Sequence, residues 1–95
     1  MTPEGRVKAA IDKVLKAASE CYYHKPVQNG MGAPTLDYVG CSRGRYFTIE
    51  AKAPGKGCTA RQRATLERVE HAGGQTFVID SDVCAEMVEL KEWLA

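Results

Sequence analysis

Apolar residues at Val7, Ala10, Ile11, Val14, Leu15 and Ala18 recur three and four positions apart, the spacing of one helix face. Thr2-Pro3 supplies a capping hydroxyl and a ring suited to the first helical position, so a helix is predicted from about Pro3 to Ser19. "ECYYHKPV" reads as a short strand closed by proline. "QNGMGAP" reads as a loop, with Gly30 and Gly32 permitting unusual backbone angles or close approach. In "TLDYVGCSRGRYFTIEAKA" two strand-like runs flank Arg43-Gly44 and predict a hairpin. "PGKGC" breaks the chain, and Thr59 to Gln62 then matches a T-x-x-Q capping box. The helix it opens carries Ala64, Leu66 and Val69 and stops at Gly73-Gly74. "QTFVID" predicts a fourth strand, and Ser81 caps a third helix with Val83, Met87, Leu90 and Leu94 as its apolar stripe. The order α-β-β-β-α-β-α predicts an α/β domain, a mixed four-stranded sheet flanked by helices.

Alternation assigns faces in the third strand. Phe47, Ile49, Ala51 and Ala53 point toward the core, and Tyr46, Thr48, Glu50 and Lys52 point the other way. Glu50 and Lys52 therefore share the non-core face, about 7 Å apart along the strand. With Arg43-Gly44 at the centre of the turn, Cys41 faces Tyr46 and Asp37 faces Glu50. Opposed carboxylates at Cβ separations of roughly 5 Å repel each other, and that repulsion needs a compensating charge.

Composition narrows the class. The chain has 95 residues, enough for one domain spanning 1–95 with a modest core that self-association would help. It is 44% hydrophobic and 26% charged, ordinary for a globular protein, and no apolar run is long enough to cross a bilayer. The opening residues "MTPEGRVKAAID" lack the apolar core of a signal peptide, which points to the cytosol. The four cysteines lie 17 to 26 positions apart without a C-x-x-C pair, the pattern of free thiols rather than of zinc ligands or a disulfide framework. The net charge is only +1, yet Ser42 to Arg63 holds six basic residues against one acid, whereas Asp80 to Ala95 holds five acids against Lys91. A concentrated basic segment on a nearly neutral chain suits a polyanion.

Two carboxylates and a lysine on one face, beside that segment, suit a hard divalent cation. Mg²⁺ prefers oxygen ligands, binds through one or two carboxylates, and leaves positions for water and phosphate oxygens. A neighbouring lysine can orient or deprotonate water, or offset charge on the phosphate, which is the chemistry of phosphodiester hydrolysis. The competing reading is an exposed hairpin face on which Lys52 pairs with Glu50 and Asp37 as ordinary surface charges.

At these residues a family pattern is visible. Pro34-x-x-Asp37, a twelve-residue interval, and Glu50-Ala51-Lys52 resemble the PD-(D/E)XK nuclease signature. With the Gly-rich loop before Asp37 and Gln62 on the next helix, the chain from Glu4 to about Asp80 resembles the virus-type replication-repair nuclease domain, a compact branch of that superfamily. Thr35-Leu36 stand between proline and aspartate, where the family usually has them adjacent. The resemblance implies a restriction-endonuclease-like core. It implies that Asp37, Glu50 and the Ala51 backbone carbonyl hold Mg²⁺ (or Mn²⁺), with Glu4 contributing directly or through water. It implies Lys52 as the catalytic lysine and Gln62 as the glutamine that supports the site. Stand-alone phage members imply a homodimer that cuts branched DNA such as four-way junctions in the host cytosol.

Other candidates have simpler roles beside these. Gln62 completes a capping box, and Glu4 favours the positive end of the first helix. His24 reads as packing beside Tyr22 and Tyr23, His71 complements the dipole of the second helix, and Trp93 belongs to the core. Lys56, Arg61, Arg63, Arg43 and Arg45 are candidate phosphate contacts, Lys56 and Arg61 foremost because they flank the predicted catalytic strand and the next helix. Two further readings remain at this stage: a binding module of the same fold without turnover, and a small interaction domain with no nucleic-acid role.

Overall fold

The computed structural model describes residues 1–27 and 36–95. The glycines at 30 and 32 and the proline at 34 lie outside the described residues. The elements run α1 (Pro3–Ala17), β1 (Cys21–His24), β2 (Tyr38–Ser42), β3 (Arg45–Ala51), α2 (Ala60–His71), β4 (Gln75–Ile79) and α3 (Ala85–Leu94). This is the predicted order, and the single sheet is mixed, ordered β1-β2-β3-β4. The first three strands are antiparallel neighbours, while β4 returns parallel to β3 after the α2 crossover.

Local chemistry explains the boundaries. Thr2 caps α1, its hydroxyl accepting from the Gly5 N–H at 2.9 Å, and Pro3 follows in the first turn. The helix ends at Ala17, two residues before the predicted Ser19, because Ala18 adopts an extended conformation. Arg43 and Gly44 both have positive φ, 52° and 79°, as a two-residue hairpin turn of the twist-matching kind requires. The turn locks Tyr38 to Ile49 and Cys41 to Tyr46, the register inferred from the sequence. α2 opens on the capping box, both of its reciprocal bonds present.

The third helix departs from expectation. The Ser81 hydroxyl accepts from the Val83 N–H at 3.3 Å and closes a local turn instead of capping a helix. α3 starts at Ala85 with Cys84 at its cap, and Val83, expected in the apolar stripe, is 80% exposed. Met87, Leu90 and Leu94 do face the core.

α1 and α3 cover one face of the sheet. Val7, Ile11 and Leu15 of α1 and Met87, Leu90 and Leu94 of α3 bury Tyr38, Phe47, Ile49, Ala51, Phe77 and Ile79. Trp93 sets its edge against Phe47 and Phe77 with ring centroids 5.6 and 5.7 Å away, the core position expected of it. The other face of β3 is not open as alternation alone implied. α2 lies over it, so Thr48 and Glu50 are buried as completely as their core-facing neighbours. A parallel crossover returns its helix onto the sheet, and that covers a face that a free hairpin would leave wet.

β1 and β2 approach closely at Gly40. A Cβ there would stand 2.2 Å from the Tyr22 carbonyl oxygen and 2.8 Å from Tyr23 Cα, both backbone atoms that yield only if the strands part. Gly40→Ala is therefore expected to loosen β1 and lower unfolding free energy by about 1–3 kcal/mol, the range for overpacking. Denaturant titration checks it, and a midpoint equal to the parent's would show that the strands separate without penalty.

Candidate active site

The site forms where β2, β3 and α2 meet. Asp37 stands just before β2, and its Oδ2 accepts from the Ala51 N–H at 2.8 Å. That bond holds the aspartate across from the end of β3, where the register brings it to Glu50. There the charge of Asp37 raises the pKa of Glu50, as opposed carboxylates do. Lys52 leaves β3 just beyond Ala51, with its backbone N–H donating to the Ile79 carbonyl of β4 at 2.9 Å.

Gln62 joins these groups. Its amide nitrogen donates to Glu50 Oε1 at 3.1 Å, and its carbonyl oxygen accepts from Lys52 Nζ at 2.6 Å. The same oxygen accepts from the Thr59 N–H at 2.9 Å, the return bond of the capping box. One side chain thus closes the capping box and contacts both Glu50 and Lys52. Lys52 Nζ also lies 3.8 Å from Glu50 Oε1, with only 13% of the lysine side chain exposed.

Glu50 is 4% exposed, and its Oε2 has no hydrogen-bond partner among the described residues. Burial first, then the charge of the neighbouring Asp37 carboxylate, raise its pKa from 4.5 to about 7 against the opposing pull of Lys52. In the protonated form Glu50 can share its proton with Asp37. In the ionised form Oε2 is a buried acceptor without a donor, which is costly unless a cation or donor reaches it.

Sequence reasoning missed Lys8. From α1 it reaches Glu4 at 3.2 Å and Asp37 Oδ1 at 3.7 Å. Burial works against its charge, but Asp37, Glu4 and Glu50 outweigh it and raise the pKa. The signal was present as Glu4 four residues before Lys8, an i,i+4 pair. The docking of α1 that aims Lys8 at Asp37 was not legible: the Tyr38 hydroxyl donates to Asp12 Oδ1 at 2.9 Å and the Lys8 carbonyl at 3.1 Å. Asp12 in turn pairs with Lys25 at 3.0 Å. Glu4 stays half-exposed, held by Lys8, and adds its charge to the field at Glu50.

The basic candidates separate into two groups. Arg61 and Arg63 are exposed on the first turn of α2, beside Gln62, and Lys56 is exposed on the preceding loop. Arg43 and Arg45 lie at the opposite end of the hairpin, roughly 16 Å along β3 from Glu50 in the case of Arg45. Arg43 bonds Glu20 and the Ala95 carbonyl, and Arg45 stacks 4.1 Å over the Trp93 ring and bonds the Trp93 carbonyl. Both are occupied structurally. His24 is exposed rather than packed, whereas Tyr23 meets Tyr38. His71 is exposed in the last turn of α2, where a cation complements the dipole. All four cysteines are free thiols.

Among the described residues no three His, Cys, Asp or Glu side chains already converge as a metal cluster. The donor set nevertheless fits a hard cation: two adjacent carboxylates, one with a buried unpartnered oxygen, at the Ala51 end of β3. No helix among the described residues is long and apolar enough to cross a membrane. Comparison with family models and with curated proteins finds no match to this chain.

Because the folded pKa of Glu50 lies above its unfolded value, the folded state binds the extra proton between about pH 4.5 and 7. The associated stability is present below pH 4.5 and lost as pH rises through about 7. Glu50→Gln keeps an acceptor for Gln62 and removes the charge. It is expected to stabilise the metal-free protein above pH 7 by on the order of 2–3 kcal/mol, with little gain near pH 4.5. Denaturant melts of parent and variant at the two pH values check it, and a gain independent of pH would contradict the burial of an ionised Glu50.

Proposed function

We propose that the protein is a Mg²⁺- or Mn²⁺-dependent DNA endonuclease that hydrolyses phosphodiester bonds in branched DNA, with a Holliday junction as the favoured substrate. The observation that carries the reading is the Gln62 amide, which bridges Glu50 and Lys52 beside Asp37 while one Glu50 oxygen stays buried without a donor. A structural ion pair needs no unpartnered oxygen, and a capping glutamine needs no contact with two catalytic-type side chains. The likeness to the virus-type replication-repair nuclease pattern points the same way through Glu4, Asp37, Glu50, Ala51, Lys52 and Gln62.

In this reading Asp37, Glu50 and the Ala51 carbonyl hold the cation, with Glu4 at its edge. When bound, the cation would polarise the scissile phosphate and make water a better nucleophile. The residues of the chain do the rest. Gln62 fixes the Lys52 ammonium near Glu50, so that Lys52 can orient the attacking water and offset negative charge developing on the phosphate. Lys8 bridges Glu4 and Asp37 and offsets their charge before a cation enters. Arg61, Arg63 and Lys56 bring positive charge to the mouth of the site for the phosphate backbone. Each chain has one such site, so two symmetric cuts in a four-way junction require a homodimer. Action on DNA in the cytosol of a phage host or bacterium follows from the same reading.

A second reading keeps the fold and the basic surface but not turnover. It is favoured by the lack of a preformed three-ligand cluster among the described residues. Cleavage of synthetic four-way junction, flap, splayed-arm and plain duplex substrates separates the two. Metal-dependent cutting of branched substrates is expected, falling about 10²–10⁴-fold in Lys52→Met and about 10–100-fold in Gln62→Leu. Calorimetric Mg²⁺ titration of Asp37→Asn reports the ligand role separately. Folded protein that binds DNA yet cuts none of the four substrates with either metal would establish the binding module instead.

A further inference from the structure

The hairpin carries a second feature on the face that holds Glu50. Tyr22, Cys41 and Tyr46 are directly paired across β1, β2 and β3, so their side chains project from one face in one row. α2 covers only part of that face. Tyr22 is 71% exposed and Tyr46 49%, and Cys41 between them is exposed as well. Two inter-strand spacings put the tyrosines roughly 10 Å apart, with the small cysteine leaving room between the rings. His24 lies one row further along β1 on the same side, also exposed.

Charge connects this row to the catalytic end. Arg61, Thr65 and Arg68 fall at i, i+4 and i+7 of α2, one stripe of the helix about 10 Å long. Thr65 and Arg68 line a groove with Tyr46, Arg45 and the Gly73-Gly74 end of α2. Gly74 gives the Tyr46 ring its place there, since a Cβ would come within 3.0 Å of Tyr46 Cδ2. Neither Arg61 nor Arg68 has a carboxylate within ion-pair distance among the described residues. Of the acids on α2, Glu70 accepts from Thr76, and Glu67 borders a neighbouring hollow with Ala64, Arg68 and His71, without coming within ion-pair distance of Arg68. The groove side thus presents cations that lead from the Gln62 turn to the exposed rings.

The geometry points to a binding site for a single-stranded nucleic-acid segment: its phosphates follow Arg61 and Arg68 along α2, and its unpaired bases stack on Tyr46 and Tyr22. Exposed tyrosines on a sheet beside a track of arginines match both halves of such a strand, the aromatic base and the anionic backbone. A plain apolar partner would leave the arginines without counter-charges, and a duplex hides the faces of its bases. This rests on the nuclease reading and narrows it, since the substrate would place a strand without a complement beside the cleavage site.

The test measures binding without metal. Fluorescence anisotropy of a labelled oligothymidylate, with chelator present so that no cleavage occurs, is compared with a blunt duplex of equal length. The parent is expected to prefer the single strand. Tyr22→Ala, on an exposed ring whose loss leaves the core intact, is expected to weaken it about 5- to 100-fold, while Tyr22→Phe binds as the parent does. Arg68→Ala is expected to reduce the salt dependence by about 0.7 in log–log slope. Parent-like binding by Tyr22→Ala, or a parent that retains only duplex, overturns the inference even if branched substrates are cut. Loss of binding in Tyr22→Ala supports it even if no substrate is ever cut, so the two readings fail separately. Protein capture on this face with no oligonucleotide retained would also overturn it.

Discussion

The register of one hairpin decides what can meet at Glu50. Two residues with positive φ, Arg43 and Gly44, form the turn, and every pairing between β2 and β3 follows from that count. A loop longer by one residue would turn Asp37 to the opposite face and leave Glu50 with Lys52 alone. The same count sets Cys41 opposite Tyr46, and Tyr22 joins that row through the separate pairing of β1 with β2. Arg43 meets its unfavourable backbone region with help, since its side chain is held by Glu20 and the Ala95 carbonyl.

Burial then gives the carboxylates their chemistry. A surface Glu50 beside Lys52 would be an ordinary ion pair of small consequence. Under α2 it becomes an acid whose proton affinity is raised by burial and by Asp37, countered by Lys52 and backed by an amide from Gln62. Lys8 and Lys52 approach the acidic pair from different elements, α1 and the end of β3. The two ammonium groups make the close approach of Asp37 and Glu50 tolerable while leaving an oxygen available, with Glu4 on the other side of Lys8.

Much of this was legible in the chain, for reasons that are local. Capping boxes, turn dipeptides and alternation involve residues a few positions apart, so the order of elements, the hairpin register and the meeting of Asp37 with Glu50 could be read directly. What failed involved distant packing. Alternation treats the second face of a strand as free, and only the return of α2 onto β3 buries Thr48 and Glu50. Lys8 is positioned by a tyrosine thirty residues away, which no spacing rule reaches. Ser81 looked like a cap because its type favours one, yet its hydroxyl was taken by the nearer Val83 N–H. Arg43 and Arg45 counted toward a basic segment, but the turn carries them to the C-terminal helix, away from Glu50.

The shared oxygen of Gln62 has a thermodynamic corollary. The first turn of a helix is its most readily frayed part, and here that turn is tied to Lys52 by the oxygen that also accepts from Thr59. When the end of α2 unwinds, the ammonium loses its anchor and Glu50 loses the Gln62 amide in the same event. The lifetime of the assembled constellation is then the lifetime of one helical turn. Any polyanion that orders Arg61 and Arg63 would lengthen it from outside, without touching a carboxylate.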